Sequence, residues 1–263
     1  MLFVFLFPTY SYASGWVQEF RKHGLTQTSF SYYYADSYFD NSGKKLPLNG
    51  NYKKYEVNQY VEYGLTNSLT VGANLFLQKA AQKNYITGSA LTNYGIGDSE
   101  FFLRMKMRKN KRFSLSFEPI IKLPSMDTAS NPKIGNKNFD IGAALSLGRN
   151  FSLLGRLHFT DLRAAYIHRL GAPHDQIKLT ATVGFSISDK WSIEPQLSTV
   201  ARLHQSAVFT NSSRDDYDLL KASLTAQYRI NKRLAVRATA FRDLAGKNIG
   251  AGQGVIIGLQ SRF

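Results

Sequence analysis

The sequence predicts an all-β protein: a transmembrane antiparallel up-and-down β-barrel of about 12 strands, with short periplasmic turns and longer extracellular loops. Three observations predict it. Segments of about ten residues alternate apolar and polar side chains, the connections between them alternate between tight and long, and the chain opens on an apolar block that reads as an export signal. No run of about 18 apolar residues exists to form a membrane helix.

Met1 to Phe7 reads MLFVFLF, and Ser11-Tyr12-Ala13 follows with the small-x-small pattern of a cleavage site. The expected organisation is therefore a signal peptide over 1–13, whose start lies further upstream if the signal is longer, and a single barrel domain over 14–263. The absence of Cys excludes structural disulfides and thiolate metal sites. Export without Cys suits a bacterial envelope protein. With 15 Tyr and 18 Phe, the chain is too aromatic for a disordered basic polymer, so its formal charge of +15 decorates something folded.

Successive side chains of a strand point to opposite faces, so a wall with oil on one side and water on the other alternates residue by residue. Leu69, Val71, Ala73, Leu75 and Leu77 share one parity against Thr70, Gly72, Asn74 and Gln78, with Phe76 breaking the rule. Ile177 to Ile187 alternates cleanly with Lys178, Thr180, Thr182, Gly184 and Ser186. Trp191 to Ser198 and Leu220 to Ile230 repeat the pattern, and similar segments run through Leu25–Ala35, Tyr55–Tyr63, Phe101–Met107, Phe113–Leu123, Phe139–Leu147, Leu234–Ala240 and Val255–Phe263. With Phe151–Arg169 as one long strand these make twelve, the even parity of a barrel whose ends share a rim.

Tight connections are expected at Gly64–Asn67, Lys109–Lys111, Gly148–Asn150, Asp189–Lys190 and Asn231–Lys232. Long loops are expected at Asp36–Asn51, Ala80–Tyr94, Ser125–Lys137, Gly171–His174, His204–Asp216 and Asp243–Gly252. Within Phe151–Arg169 the apolar parity slips near Thr160, which predicts a bulge. Pro119 and Pro195 interrupt strands of a sheet without free edges, which predicts bulges or bends there too. Tyr32, Tyr33, Tyr55, Tyr63, Phe113, Phe151, Trp191 and Tyr228 are candidates for aromatic girdles.

The chain stops on Phe263 after Val255, Ile257 and Leu259 on one face, which resembles the terminal strand signal of bacterial outer-membrane proteins. That resemblance implies delivery by the barrel-assembly machinery through the Phe263 strand. Tyr63-Gly64-Leu65-Thr66-Asn67-Ser68-Leu69, Gly95-Ile96-Gly97-Asp98 and Lys122-Leu123-Pro124 together resemble the outer-membrane family named for the MetA pathway of phenol degradation. The resemblance implies an outer-membrane barrel that passes small, in part aromatic, compounds. It implies no binding residues.

Searches for chemistry yield no catalytic, cofactor-binding or metal set. Gly97-Asp98-Ser99 resembles one esterase block, but Glu100 replaces its Leu and a matching Asp-x-x-His is absent. The five histidines, His23, His158, His168, His174 and His204, show no metal-binding spacing. An enzyme is not expected.

The polar parity of the strands supplies the pore-lining candidates: Lys54, Glu56, Glu100, Arg104, Lys106, Glu118, Lys122, Arg156, Lys178, Glu194, Arg202, Lys221, Arg229, Arg237 and Arg262, with Glu62 and Asp140 as further acids. Cations outnumber carboxylates in this set, so an anion-preferring channel is expected. Twelve strands give a backbone diameter of roughly 20 to 25 Å, narrowed by side chains. The expected function is passive diffusion of small solutes through a monomeric barrel in the bacterial outer membrane. Its partners are outer-membrane lipid and lipopolysaccharide, with no nucleic acid and no cofactor. The alternatives are an occluded structural or adhesive barrel and an outer-membrane hydrolase.

Overall fold

A computed structural model describes residues 22–109, 113–124, 132, 134–135, 138–171, 174–203 and 216–263. The expected signal peptide, the turn at 110–112, most of 125–137 and the stretch 204–215 with His204 lie outside the described residues.

Fourteen strand segments follow one another: β1 (Gly24–Phe39), β2 (Lys45–Gly64), β3 (Leu69–Asn84), β4 (Ala90–Ile96), β5 (Ser99–Lys109), β6 (Phe113–Leu123), β7 (Asp140–Leu153), β8 (Arg156–Arg169), β9 (Gln176–Ser186), β10 (Trp191–Arg202), β11 (Asp218–Arg229), β12 (Leu234–Lys247), β13 (Ile249–Gly250) and β14 (Gln253–Arg262). Each neighbour pair is antiparallel, and pairing of β1 with both β14 and β2 closes the ring. β4 and β5 share β3 as partner and form one stave broken at Gly97-Asp98, and β13 and β14 likewise share β1. Twelve staves result. The backbones of Gly24 and Phe263 exchange both hydrogen bonds, 2.8 and 3.0 Å, at the seam.

Alternation decides sidedness. Phe30, Val57, Leu75, Leu77, Leu145, Leu162, Leu179, Leu197, Leu224, Val255, Ile257 and Leu259 are all exposed on the outer face. A continuous apolar belt of this size is tolerated by a hydrocarbon phase and not by water. Tyr32 and Tyr55 pack with ring centroids 5.1 Å apart on the long-strand side of the belt, and Trp191 and Tyr228 at 4.8 Å on the short-turn side. Tyr33 departs from its expected place: it faces inward and donates to Asp243.

The structure corrects several expectations about connections and bulges. Gly148–Asn150 is not a turn but part of β7, and the chain reverses at Leu154-Gly155, both with positive φ (51° and 72°). That conformation suits a two-residue hairpin of primed type. Leu is not a usual resident of it, so the turn lacks its ordinary sequence mark. Residues paired across such a turn differ in parity: Leu153 opposes Arg156, and the register then runs unbroken to Asp140 opposite Arg169. The slip near Thr160 is therefore the hairpin itself, and no bulge is needed.

The prolines also leave the register intact. Pairs of β5 with β6 pass from Phe102↔Ile120 to Met105↔Phe117, leaving a gap that spans Pro119, while Pro119↔Ala143 survives on the other side. Pro195 repeats this between β9 and β10. In an antiparallel ladder a residue's N–H and C=O point to the same neighbour, so the missing donor opens one ladder only.

Most of the stretches 36–51, 80–94 and 243–252 are strand rather than loop, because β1 to β4 and β12 continue well past the belt. Their hairpins close through Asp40–Lys44, Tyr85–Ser89 and Asn248. The barrel is thus taller on this flank than along β6 to β9.

Candidate functional site

The inward parity of the staves builds the lumen. Its largest space, about 1120 Å³, is lined by Tyr33, Tyr52, Phe76 and Phe241 together with Lys54, Glu56, Lys221, Asp243, Glu194 and Arg237. A smaller chamber of about 320 Å³ is lined by Tyr60, Glu100, Phe102, Arg104, Glu118, Asp161, Arg163, Glu194 and Arg237. Glu194 and Arg237 border both, with Arg237 Nη2 2.7 Å from Glu194 Oε2.

In the large chamber every cation has an anion close by. Lys54 Nζ is 3.1 Å from Glu56, whose other donor is Gln78 at 2.7 Å. Lys221 Nζ lies 3.8 Å from Asp243 Oδ1 and 4.8 Å from the centre of the Phe241 ring. Asp243 also accepts from Tyr33 Oη at 2.8 Å and from the Gly252 amide at 3.2 Å. Tyr33 stacks against Phe241 at 6.2 Å, so an aromatic floor carries an alternating set of charges.

The smaller chamber is bounded by a buried network. Arg104 reaches Glu62 at 2.5 Å and Glu118 at 2.8 Å, Arg163 reaches Glu118 at 2.7 Å, and the Tyr60 hydroxyl donates to Glu62. Arg104 and Glu118 are 4% and 3% exposed. Such charges survive burial only because each finds a partner of opposite sign. Beside them Phe102, Ile120, Ala144, Ala165 and Ile167 fill the β5–β8 side of the lumen with an apolar cluster. Phe102 and Phe159 lie flat over Gly72 and Gly184 of neighbouring strands, positions where a Cβ would collide with the ring. Among the described residues the lumen is therefore eccentric, packed along β5–β8, with its larger space along β9–β12 and β1–β3.

The remaining candidate residues are spread along the barrel. Lys122 is bound by Asp98 at 2.7 Å and Asp140 at 3.3 Å. Lys178 faces inward on β9, with no ion pair among the described residues. Arg202 holds Asp218 at 3.5 Å on the rim of the long hairpins. Lys106 donates to the Asn67 carbonyl at 2.5 Å and Arg229 to the Asp189 carbonyl at 3.0 Å, both on the short-turn rim. Arg156 stands at the tip of the β7–β8 hairpin, 3.2 Å from Asp189 and away from both chambers. Arg262 ends β14 opposite Leu25.

Sequence reading missed Asp161, Arg163, Arg169, Asp98 and Asp243. The first three lie on β8, where the unrecognised turn inverts the parity; placing that turn correctly assigns all three to the lumen. Asp98 sits in the break between β4 and β5, and Asp243 was assigned to a loop. These add three carboxylates and two guanidinium groups, so the inward cations still outnumber the carboxylates.

Among the described residues the histidines do not form one cluster. His158 is buried between Phe151 and Phe185, bonded to the Leu153 carbonyl at 3.0 Å and the Ser186 amide at 3.2 Å. His168 meets Asp175 at 3.0 Å and His174 meets Asp216 at 2.7 Å, both near the long-hairpin rim. Removing the Asp175 carboxyl from water disfavours its charge, but donation from Tyr166, the Arg169 amide and His168 outweighs this and holds its pKa at about 2. Among the described residues no three His, Asp or Glu side chains cluster as a metal site.

No family model matches the chain, and no curated protein matches it. Among solved structures it is similar to an outer-membrane channel from Pseudomonas putida F1 at 14% identity, with a TM-score of 0.76 over 97% of this chain and 100% of that one. It is also similar to the KdgM porin (9% identity, TM-score 0.52, 89% and 99% covered) and the NanC porin (7%, 0.53, 90% and 98%). A closed ring of twelve antiparallel staves, an exposed apolar belt and a charged interior thus give this chain the fold of an outer-membrane channel barrel.

Proposed function

We infer that the protein is a monomeric outer-membrane channel through which small solutes diffuse without energy coupling, and that its preferred solutes combine an aromatic or apolar part with polar groups. The observation that carries this is the large chamber, where Tyr33, Tyr52, Phe76 and Phe241 share one wall with Lys54 and Lys221. A lining of this kind solvates an amphipathic molecule better than either an ion or a hydrocarbon. The likeness of fold to channels and porins supports passage, and the resemblance of the short motifs to the MetA-pathway family agrees with a partly aromatic cargo.

Charge preference is weak in this reading. Lys54, Lys221 and Arg237 in the large chamber stand against Glu56, Glu194 and Asp243, so the field there alternates instead of adding up. Within this chamber the excess of cations expected from parity is absent, although the whole inward set still holds more cations than carboxylates.

Planar-bilayer recording tests the proposal. Discrete small conductance steps are expected, with a reversal potential close to zero in a salt gradient, and small aromatic acids are expected to block them at lower concentration than aliphatic acids of equal charge. A correctly folded barrel that inserts but passes neither ions nor small solutes overturns it.

A further inference from the structure

Among the described strand residues on the long-hairpin side of the apolar belt, the outward Lys and Arg lie on one flank of the barrel. Following each strand from the apolar belt toward the long-hairpin rim, the first charged outward residue is Lys53 on β2, after Tyr63, Val61, Val57 and Tyr55. On β3, Lys79 and then Lys83 follow Leu75 and Leu77. On β12, Arg242 follows Val236, Ala238 and Ala240. The same positions on β6 to β11 hold Leu123, Ile141, His168, Ile177, Ala201 and Leu220, with no Lys or Arg.

These four cations form a compact group. Lys53 pairs in register with Ala81, which places it diagonal to both Lys79 and Lys83, at about 7 to 8 Å. Arg242 lies three strands away through Gln253 and Tyr34, about 14 Å. Lys79 and Lys83 are exposed, as is Arg242, and none of Lys53, Lys79, Lys83 or Arg242 has an ion-pair partner among the described residues. That is unlike the large lumenal chamber, where Lys54, Lys221 and Arg237 each have a carboxylate close by. Lys83 lies 5.7 Å over the Tyr85 ring, Tyr32, Tyr34 and Tyr55 stand on the strands between Arg242 and Lys79, and Tyr94, 78% exposed, pairs with Lys79 from β4. Asp36 on β1 is the acid on this face, and Ser37 donates to it.

Cations at the edge of a hydrocarbon belt, with tyrosines that sit at the headgroup level, meet lipid phosphates. Long Lys stems span the distance from the apolar wall to that plane. We propose that Lys53, Lys79, Lys83 and Arg242 form a binding site for the phosphorylated headgroup of an outer-leaflet glycolipid. The site fixes one flank of the barrel to a bound lipid and leaves the β6–β11 flank to ordinary acyl contact.

The test uses the full chain folded in detergent and bis-phosphorylated lipid A, with bound lipid counted by native mass spectrometry. A quadruple variant, K53Q/K79Q/K83Q/R242Q, is compared with a control, K44Q/K45Q, that removes charge from the neighbouring turn. Folding of each is read from the heat-sensitive gel mobility of the barrel, and these outward substitutions leave the lumen and its conductance untouched. Each cation near an anionic headgroup contributes on the order of a fivefold factor, so lipid A binding should weaken by roughly 600-fold in the quadruple variant and hardly at all in the control. Equal binding by folded quadruple variant and wild type, or no lipid A binding by wild type, overturns the proposal. Displacement of lipid A by inorganic phosphate at comparable concentration overturns the lipid assignment in favour of a free-phosphate site.

Discussion

Arg237 on β12 and Glu194 on β10 meet at 2.7 Å inside the barrel, 43 residues apart in sequence, at the place where the two lumenal chambers adjoin. Gln227 and Gln260 accept further hydrogen bonds from the same guanidinium at 3.1 and 3.5 Å, so the pair is held from three strands. It lines both the roomy aromatic chamber and the smaller charged one.

Removing both partners should widen the junction of the two chambers. The double variant R237A/E194A is expected to show larger single-channel steps than wild type. Each single variant leaves one charge behind: R237A should move the reversal potential toward cation preference and E194A toward anion preference. Reversal potentials in a KCl gradient check the signs, and identical values for both single variants refute the placement of this pair on the conduction path.

The Arg104 network predicts an asymmetric stability response. Arg104→Met leaves Glu62 buried without this guanidinium and Glu118 with Arg163 alone, which should cost about 3 kcal/mol. Adding Glu62→Gln and Glu118→Gln to it should recover most of that loss, since the uncompensated charges then disappear. Urea unfolding in lipid or detergent, followed by tryptophan fluorescence, measures both; equal stability of the single and triple variants contradicts the network.

Leu154 holds φ near 51° with 92% of its surface exposed. An L-residue with a Cβ branch beyond it gains nothing from packing there and carries the cost of the left-handed region. Leu154→Asn should therefore stabilise the barrel by about 1 kcal/mol. The same unfolding experiment reads it, and a loss of stability would mean that the hairpin tip is held by something other than its turn.

Asp175 gives a pH dependence of known sign. Its folded pKa of about 2 lies below the ordinary carboxylate value, so the stability it contributes is present above pH 4 and is lost as pH falls toward 2. A carboxyl NMR titration should show its midpoint near 2, and Tyr166→Phe should raise that midpoint by removing a donor. An unshifted midpoint in the variant would remove Tyr166 from the cause.

Much of this architecture is legible along the chain because a two-sided wall imposes a period of two. Alternation alone assigns Leu75, Leu179 and Ile257 to the outside and Lys54, Glu118 and Arg237 to the inside, and it counts twelve staves. It fails where the backbone does something that side-chain polarity does not record. Leu154-Gly155 turns without Asn or Asp to announce it, so the parity of β8 was read inverted and Asp161, Arg163 and Arg169 were lost to the lumen. The long outer hairpins were read as loops because strands beyond the belt have water on both faces, and Asn49, Asn51 and Lys83 carry no apolar signal.

Sidedness is written along the chain: which residues face oil, which face the interior, and how many times the wall is crossed. Which interior charges meet follows from folding alone. Glu62 reaches Arg104 across 42 positions and Glu194 reaches Arg237 across 43, distances that close only when register and ring closure bring separate staves together. Polarity is a property of each residue and survives in one dimension, whereas a salt bridge is a property of a pair and needs three.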